Sequence, residues 1–372
     1  MRSVKFKTYD PRDFPLFQGY PWKILPDDDF DITLIRPWLD HVVDNLCNGD
    51  PDVYEYLIKW VAFIVQKPGV KTCTAPMIIG DHGTGKGDFF LNIVSKLFGR
   101  YALPNVTKIE DITGRFNDII ENMVFIGCNE MHDDTNSKKL NTNSLKSLIT
   151  EYDIVYERKC INKRKGRFYG NLIFFSNHAV TMDFRDMKRR ILVIEANYKV
   201  AENLKYFKSL RKVIGHPLFT ANLFTYLAKH VDLSEFEPRD LPQTEATTTR
   251  MDETTPAWEK FFKEYIESFV GDEAGIIGGG IGDGWITTEC YAMYEKYCRD
   301  NGFGTMNNSN FGIHLRKYCN CKQRKRQGEL HRYYYLNERG NDLYQKHLKT
   351  LDGLEDYIEP PKVKIDETDD DW

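Results

Sequence analysis

The densest cluster of chemistry-bearing residues is Gly80-Asp81-His82-Gly83-Thr84-Gly85-Lys86, followed by Gly87 and Asp88. Glycines at this spacing let a backbone wrap so that several N–H groups point inward. A helix beginning where the loop ends adds partial positive charge. A lysine at the end of such a loop reaches the β and γ phosphates of a nucleotide. Residues 80–88 are therefore the candidate nucleotide cradle, with Asp81 and His82 as loop fillers. Position 87 departs from the usual pattern: where a Ser or Thr hydroxyl would reach Mg²⁺, the chain has Gly87.

Three further groups stand at spacings that suit the same chemistry. Asn129-Glu130 ends an apolar run 44 residues after Lys86. A carboxylate at the tip of a buried strand can polarise the attacking water, so Glu130 is the candidate catalytic carboxylate. The acidic pair usual at this place is here Asn129-Glu130, which leaves these two as the candidate Mg²⁺ contacts and removes the usual metal-holding Asp. Ser176-Asn177 follows 47 residues later, where the Asn177 amide can bridge a γ-phosphate and water. Arg185-Asp186-Met187-Lys188-Arg189-Arg190 then offers Arg189 or Arg190 as a finger toward a neighbouring subunit's phosphate. A surface basic cluster is the plainer reading of that run.

Between carboxylate and amide lies the stretch from Tyr156 to Arg167, with six cations and one anion in twelve residues. Its centre, Cys160-Ile161-Asn162, has the look of a hairpin tip. Lys159, Lys163, Arg164 and Lys165 could hold nucleic-acid phosphates without reading bases. A solvated charged loop is the alternative.

The elements that must position these groups follow from periodicity. Residues to about Asp31 form an extended arm rich in Pro, Asp and aromatics. Leu34, Trp38, Val42 and Leu46, then Val53, Leu57, Trp60 and Ile64, recur at helical spacing. Asp50 as cap and Pro51 at the first helical position divide them into a helical hairpin, which with the arm makes up 1–70. Short apolar runs at 75–79, 123–128, 172–176 and 190–196 alternate with helical segments. That alternation predicts an α/β core over 71–236 with a mostly parallel sheet. Prolines and threonines make 237–256 a linker. Residues 257–350 read as three helices, a basic turn with Arg324, Lys325 and Arg326, and an aromatic strand: a winged-helix-like domain with a nucleic-acid contact. The acidic tail 351–372 reads as disordered.

The order of glycine loop, Asn129-Glu130, basic hairpin and Ser176-Asn177 within about 110 residues resembles the superfamily 3 helicases. Phe17-Gln18-Gly19-Tyr20, the run from Trp60 to Pro68, Leu145 to Thr150 and Asp186 to Arg190 are similar to one branch. That branch is the helicase half of phage and large-DNA-virus primase-helicases and primase-polymerases. The resemblance implies an AAA+-type P-loop ATPase ring, usually hexameric, that uses ATP and Mg²⁺. Such rings translocate 3′ to 5′ on single-stranded DNA and open a forked duplex. It makes Lys86 the phosphate lysine, Glu130 the catalytic carboxylate, Asn177 the sensor, and Arg189 or Arg190 the finger. Lys163 to Lys165 become the channel hairpin. Gly87 and Asn129 depart from that pattern at the metal. No primase signature is visible, so priming is expected from another domain or partner.

Composition bounds these readings. The 372 residues are 41% hydrophobic, and 51 basic against 55 acidic residues give −4, so only the distribution of charge can speak for nucleic acid. Apolar runs far short of the roughly 20 residues of a membrane span, and no apolar stretch after Met1, predict a cytoplasmic protein without a signal peptide, in an infected host or at a viral replication site. Eight scattered cysteines predict reduced thiols, and Cys319-Asn320-Cys321 with His314 and His331 lacks the common zinc spacing. Two other classes compete with a replicative helicase. One is a nucleotide-binding ring that loads or scaffolds replication proteins without unwinding. The other is a small-molecule kinase, which leaves the basic hairpin unexplained.

Overall fold

Strand residues sort by parity. On β3 (Ala75–Ile79), Ala75, Met77 and Ile79 face one core while Ile78 faces the other. On β8 (Asn171–Ser176), Leu172 and Phe174 oppose Ile173 and Phe175. On β9 (Ile191–Glu195), Ile191 and Val193 oppose Leu192 and Ile194. A sheet with apolar residues at both parities must be covered on both faces, and this one is. The structure is a computed structural model and describes residues 4–7, 14–129, 142–177, 187–270, 284–326 and 328–352. The expected acidic tail lies outside the described residues beyond Asp352.

Two short paired strands, β1 (Val4–Lys5) and β2 (Phe14–Pro15), lie in the N-terminal arm. The helical hairpin follows as α1 (Arg36–His41), continued by a wider turn at Val42–Leu46, and α2 (Pro51–Gln66). The Asp50 carboxylate accepts from the Asp52 and Val53 N–H groups, and Pro51 opens α2. The sheet adds β4 (Ala102–Val106) and β5 (Phe125–Cys128), in the order β4-β5-β8-β3-β9, with every pair parallel. Apolar patterning predicts four of these strands and misses β4, an edge strand carrying Pro104 and a partly exposed pattern. After β3 the chain is helical from Gly87 to the end of α3 (Asn92–Phe98). Helix α4 (Thr142–Thr150) leads into the antiparallel hairpin of β6 (Asp153–Tyr156) and β7 (Arg164–Arg167). Helices α5 (Leu204–Ile214) and α6 (Phe219–Thr225) complete the upper layer.

The stretch 237–256 is not wholly a linker. Residues Glu245–Thr254 form α7, which packs on β9. The reason is the open edge of the sheet: the Thr244 hydroxyl donates to Val193 O at 2.9 Å, and Val193 N–H donates to Thr247 Oγ1 at 3.4 Å. Two threonines thus satisfy backbone groups that an edge strand would leave unpaired.

The chain divides into two units, 1–254 and 255–372. The second has its own core, built from α8 (Ala257–Glu264), α9 (Thr287–Asp300), α10 (Asn308–Leu315) and a three-stranded antiparallel sheet. That sheet runs β10 (Trp285–Ile286), β12 (Glu329–Leu336), β11 (Cys319–Arg326), and α11 (Glu338–Asp352) follows it. The expected basic turn is instead strand: Arg324, Lys325 and Arg326 pair with His331, Leu330 and Glu329 on β12. A polar, cationic strand at a sheet edge reads like a turn in sequence because nothing in it alternates. No described helix is long and apolar enough to cross a membrane.

Candidate functional site

The glycine loop leaves the C-terminal end of β3. Gly83 and Gly85 stand at φ +77° and +89°, left-handed backbone that favours glycine. Gly85 is fixed twice over, since a Cβ there would lie 2.8 Å from His41 Nε2 and 3.0 Å from the Phe207 ring. Lys86 folds back across the loop, donating to Gly80 O at 2.7 Å and Asp81 O at 2.9 Å. The Thr84 hydroxyl donates to Asp81 O at 3.1 Å. Gly80 and Asp81 therefore shape the loop through their carbonyls.

Beside it lies a cavity of about 360 Å³ lined by residues 82–89, Asn129, Ser176 and Asn177. The tips of β5 and β8, neighbours in the sheet, deliver Asn129 and Asn177 to the mouth of β3. The Asn177 amide nitrogen is 3.3 Å from His82 Nδ1, so His82 is more than a loop filler. Asn129 is anchored by its N–H to Val106 O at 2.8 Å on β4. Glu130 lies outside the described residues. The opposite wall is helical: Glu202, Leu204, Phe207 and Arg211 also line the cavity. None of these four stands out in the sequence, although Leu204, Phe207 and Arg211 share one helical face.

Arg189 and Arg190 do not line this cavity. The Arg190 carbonyl accepts from Ala75 N–H at 2.7 Å, at the N-terminal end of β3 and β9. That places it at the other end of the sheet from the loop, about 16 Å away over five residues of strand. Within one chain these arginines cannot serve their own cradle.

The donors for Mg²⁺ are sparse. A Cβ at Gly87 would meet nothing within 4 Å, so a hydroxyl residue would fit there and is simply not present. Asn129 brings a neutral amide in place of a carboxylate. Among the described residues no three His, Cys, Asp or Glu side chains cluster as a metal site. The described donors do not by themselves make a Mg²⁺ site.

A buried histidine supports the loop from below. His41 Nδ1 is 2.9 Å from Tyr206 Oη, and its buried Nε2 has no hydrogen-bond partner among the described residues. Burial pushes its pKa down to about 4, so the ring is neutral in the fold.

The basic hairpin exists, with Cys160 exposed at the tip in left-handed backbone, φ +64°. Much of its charge is already paired. Glu157 takes Lys163 at 2.9 Å and Arg115 at 2.5 Å, and these cations hold its carboxyl below the usual carboxylate range. Asp118 takes Arg158 at 2.7 Å, and Glu121 takes Arg164. Among the described residues Lys159 and Lys165 carry no ion pair. The expectation that Lys163 and Arg164 stand ready for phosphates is corrected to this extent: each is already held by a carboxylate, and that of Arg164 lies near residue 120, out of reach of any local pattern. Lys71 fixes the hairpin's root. It donates to Leu148 O at 2.6 Å and Glu151 O at 2.7 Å before β6, and stands 4.5 Å from the Phe168 ring after β7.

In the second unit Lys325 is exposed and Arg324 half-buried on the edge strand β11.

A profile described as a family of unknown function, DUF5906, matches residues 78–190, the loop through the arginine pair. A DNA primase-polymerase of Nitratiruptor phage NrS-1 is 31% identical over 159 residues, 42% of this chain and 22% of that protein. The chain thus matches about a fifth of that relative's length. Two solved apo structures of the NrS-1 C-terminal region match with TM-scores of 0.67 and 0.66 at 22% and 20% identity. They cover 87% of this chain and 80% and 81% of theirs, a likeness of fold.

Proposed function

We propose that this chain is an ATP-driven replicative DNA helicase of a phage or virus, with an AAA+-type P-loop core of the superfamily 3 kind and a winged-helix-like second unit. The observation that carries this reading is the convergence of Lys86, the wrapped glycine loop, Asn129 and Asn177 on one cavity at the C-terminal ends of adjacent parallel strands. Substrate ATP enters with its Mg²⁺, whose protein contacts fall to Glu130 and water. Lys86 holds the β and γ phosphates, Glu130 polarises water, and Asn177 bridges water and γ-phosphate. Since Arg189 and Arg190 lie at the far end of the sheet, the finger must come from a neighbouring copy. That requirement favours a ring, proposed as a hexamer, around single-stranded DNA held by the hairpin and by Arg324, Lys325 and Arg326. A primase or polymerase domain or partner would supply the primer, in the cytoplasm of an infected host.

The test is ATP hydrolysis by the full chain with and without single-stranded DNA, alongside unwinding of a forked duplex. DNA-stimulated hydrolysis with unwinding is the expected result. ATP binding with neither would leave the second reading, a nucleotide-binding ring that loads or scaffolds replication proteins. Gly87, Asn129 and the pairing of three of the hairpin's six cations favour that alternative.

A further inference from the structure

The wall facing the glycine loop is one stripe of α5. Leu204, Phe207 and Arg211 are spaced three and four residues apart, hence stacked on a single helical face, and all three line the cavity. Leu204 is 78% exposed, an apolar side chain turned to an open site. The Arg211 guanidinium carbon lies 5.4 Å from the centre of the Phe89 ring. Phe89 is the third residue past Lys86, and its N–H donates to Gly85 O at 2.9 Å. A cation is thereby held on the first helical turn after the phosphate loop. Among the described residues Arg211 has no carboxylate partner.

Among the described residues, the same corner lacks the hydroxyl at position 87 and the acidic side chain at position 129 that usually attach counter-charge to a bound triphosphate. Gly87 has no hydroxyl, and neither backbone conformation nor crowding demands glycine there. Asn129 is neutral. Two donors that would fix a divalent cation are replaced, and one permanently charged side chain is added. Guanidinium stays ionised at any working pH and binds phosphate oxygens through paired N–H groups.

We propose that Arg211 is a phosphate-binding residue of this cavity. It supplies from the same subunit the charge that a hydroxyl-anchored Mg²⁺ supplies elsewhere, so that nucleoside triphosphate binding here depends only weakly on Mg²⁺. This rests on the reading of the cavity as a nucleotide site.

Calorimetric titration of ATP into the full chain, in Mg²⁺ and in EDTA, tests both layers separately. The unmodified chain should lose less than about 5-fold in affinity without Mg²⁺. Arg211→Gln should bind about 10- to 100-fold more weakly in EDTA, the range for a charged hydrogen bond, with a smaller loss in Mg²⁺. Arg211→Lys should recover most of the affinity in EDTA. An unmodified chain that binds only with Mg²⁺, or an Arg211→Gln variant unchanged in EDTA, overturns the proposal while leaving the nucleotide site standing. A lysine variant as weak as the glutamine one would trace the loss to packing on Phe89 and overturn the charge argument. No ATP binding in either buffer would remove the nucleotide reading itself.

Discussion

The glycine loop and the basic hairpin are the two most conspicuous stretches of this sequence, and the fold treats them oppositely. In the loop, a single cation is held by carbonyls of its own loop, Gly80 O and Asp81 O, beside an open cavity. Those carbonyls orient the ammonium. In the hairpin, three of six cations are held by carboxylates of Glu157, Asp118 and Glu121. Carboxylates orient and cancel at once. Local charge counts therefore rank the hairpin far above the loop as an anion site, while geometry gives the loop the cavity and pairs half of the hairpin's cations. Two of those partners, Asp118 and Glu121, lie about 40 residues away in sequence.

The loop side of this contrast should break most severely. Lys86→Ala removes the one cation the loop orients toward the cavity. Turnover is expected to fall by roughly 10²–10³-fold or more, as for other lost transition-state donors. Its melting temperature should stay near that of the unmodified chain, because the hydrogen bonds Lys86 makes to Gly80 O and Asp81 O stay within its own loop. Normal turnover in that variant would end the cradle assignment. Gly85→Ala should act on the fold as well as the site, since the left-handed φ and the 2.8 Å approach to His41 Nε2 both oppose a methyl group. A cost of about 2 kcal/mol in unfolding free energy is expected, and an unchanged value would mean the loop can relax away from His41.

The hairpin side is sharpened by separating paired from unpaired cations. Neutralising Lys159 and Lys165 should lower the log–log salt slope of single-stranded DNA binding by roughly 0.7 for each phosphate no longer held. Neutralising Lys163 and Arg164 should instead leave the slope unchanged and lower the melting temperature, because Glu157 loses one partner and Glu121 another. Should the second pair carry the slope, the ion pairs open on binding and the static pairing misleads.

The loop was readable because every requirement it meets is local: a strand before, a helix after, glycines at fixed spacing. The tips of β3, β5 and β8 that frame it were readable for the same reason. Edge strand β4 was hidden by Pro104, and β11 by a run of cations without alternation. The wall residues Arg211 and Phe207, and His41 beneath Gly85, come from segments about 40 residues or more from the loop. The amphipathic spacing of α5 announces a buried face but not which cavity its polar end reaches.

The smallest expected effect comes from His41, a titratable group packed against the loop at Gly85. Its pKa falls from 6.5 to about 4 through burial, and its neighbours Tyr206, Asn45, Phe89 and Phe207 offer it no countercharge. The unfolded chain takes up this proton near pH 6.5 while the folded chain resists until near pH 4. More protons bound in the unfolded state means stability is full above about pH 7 and declines as pH falls through the window from 6.5 to 4. Between pH 7.5 and 5.5 the loss is about 1 kcal/mol by that linkage. Urea unfolding of the unmodified chain and of His41→Gln at both pH values isolates it, because every other group titrates alike in the two. The glutamine variant should be less sensitive to the drop by about that amount. Equal sensitivity would mean His41 is solvated when the loop moves, and that the loop is looser than its hydrogen bonds suggest.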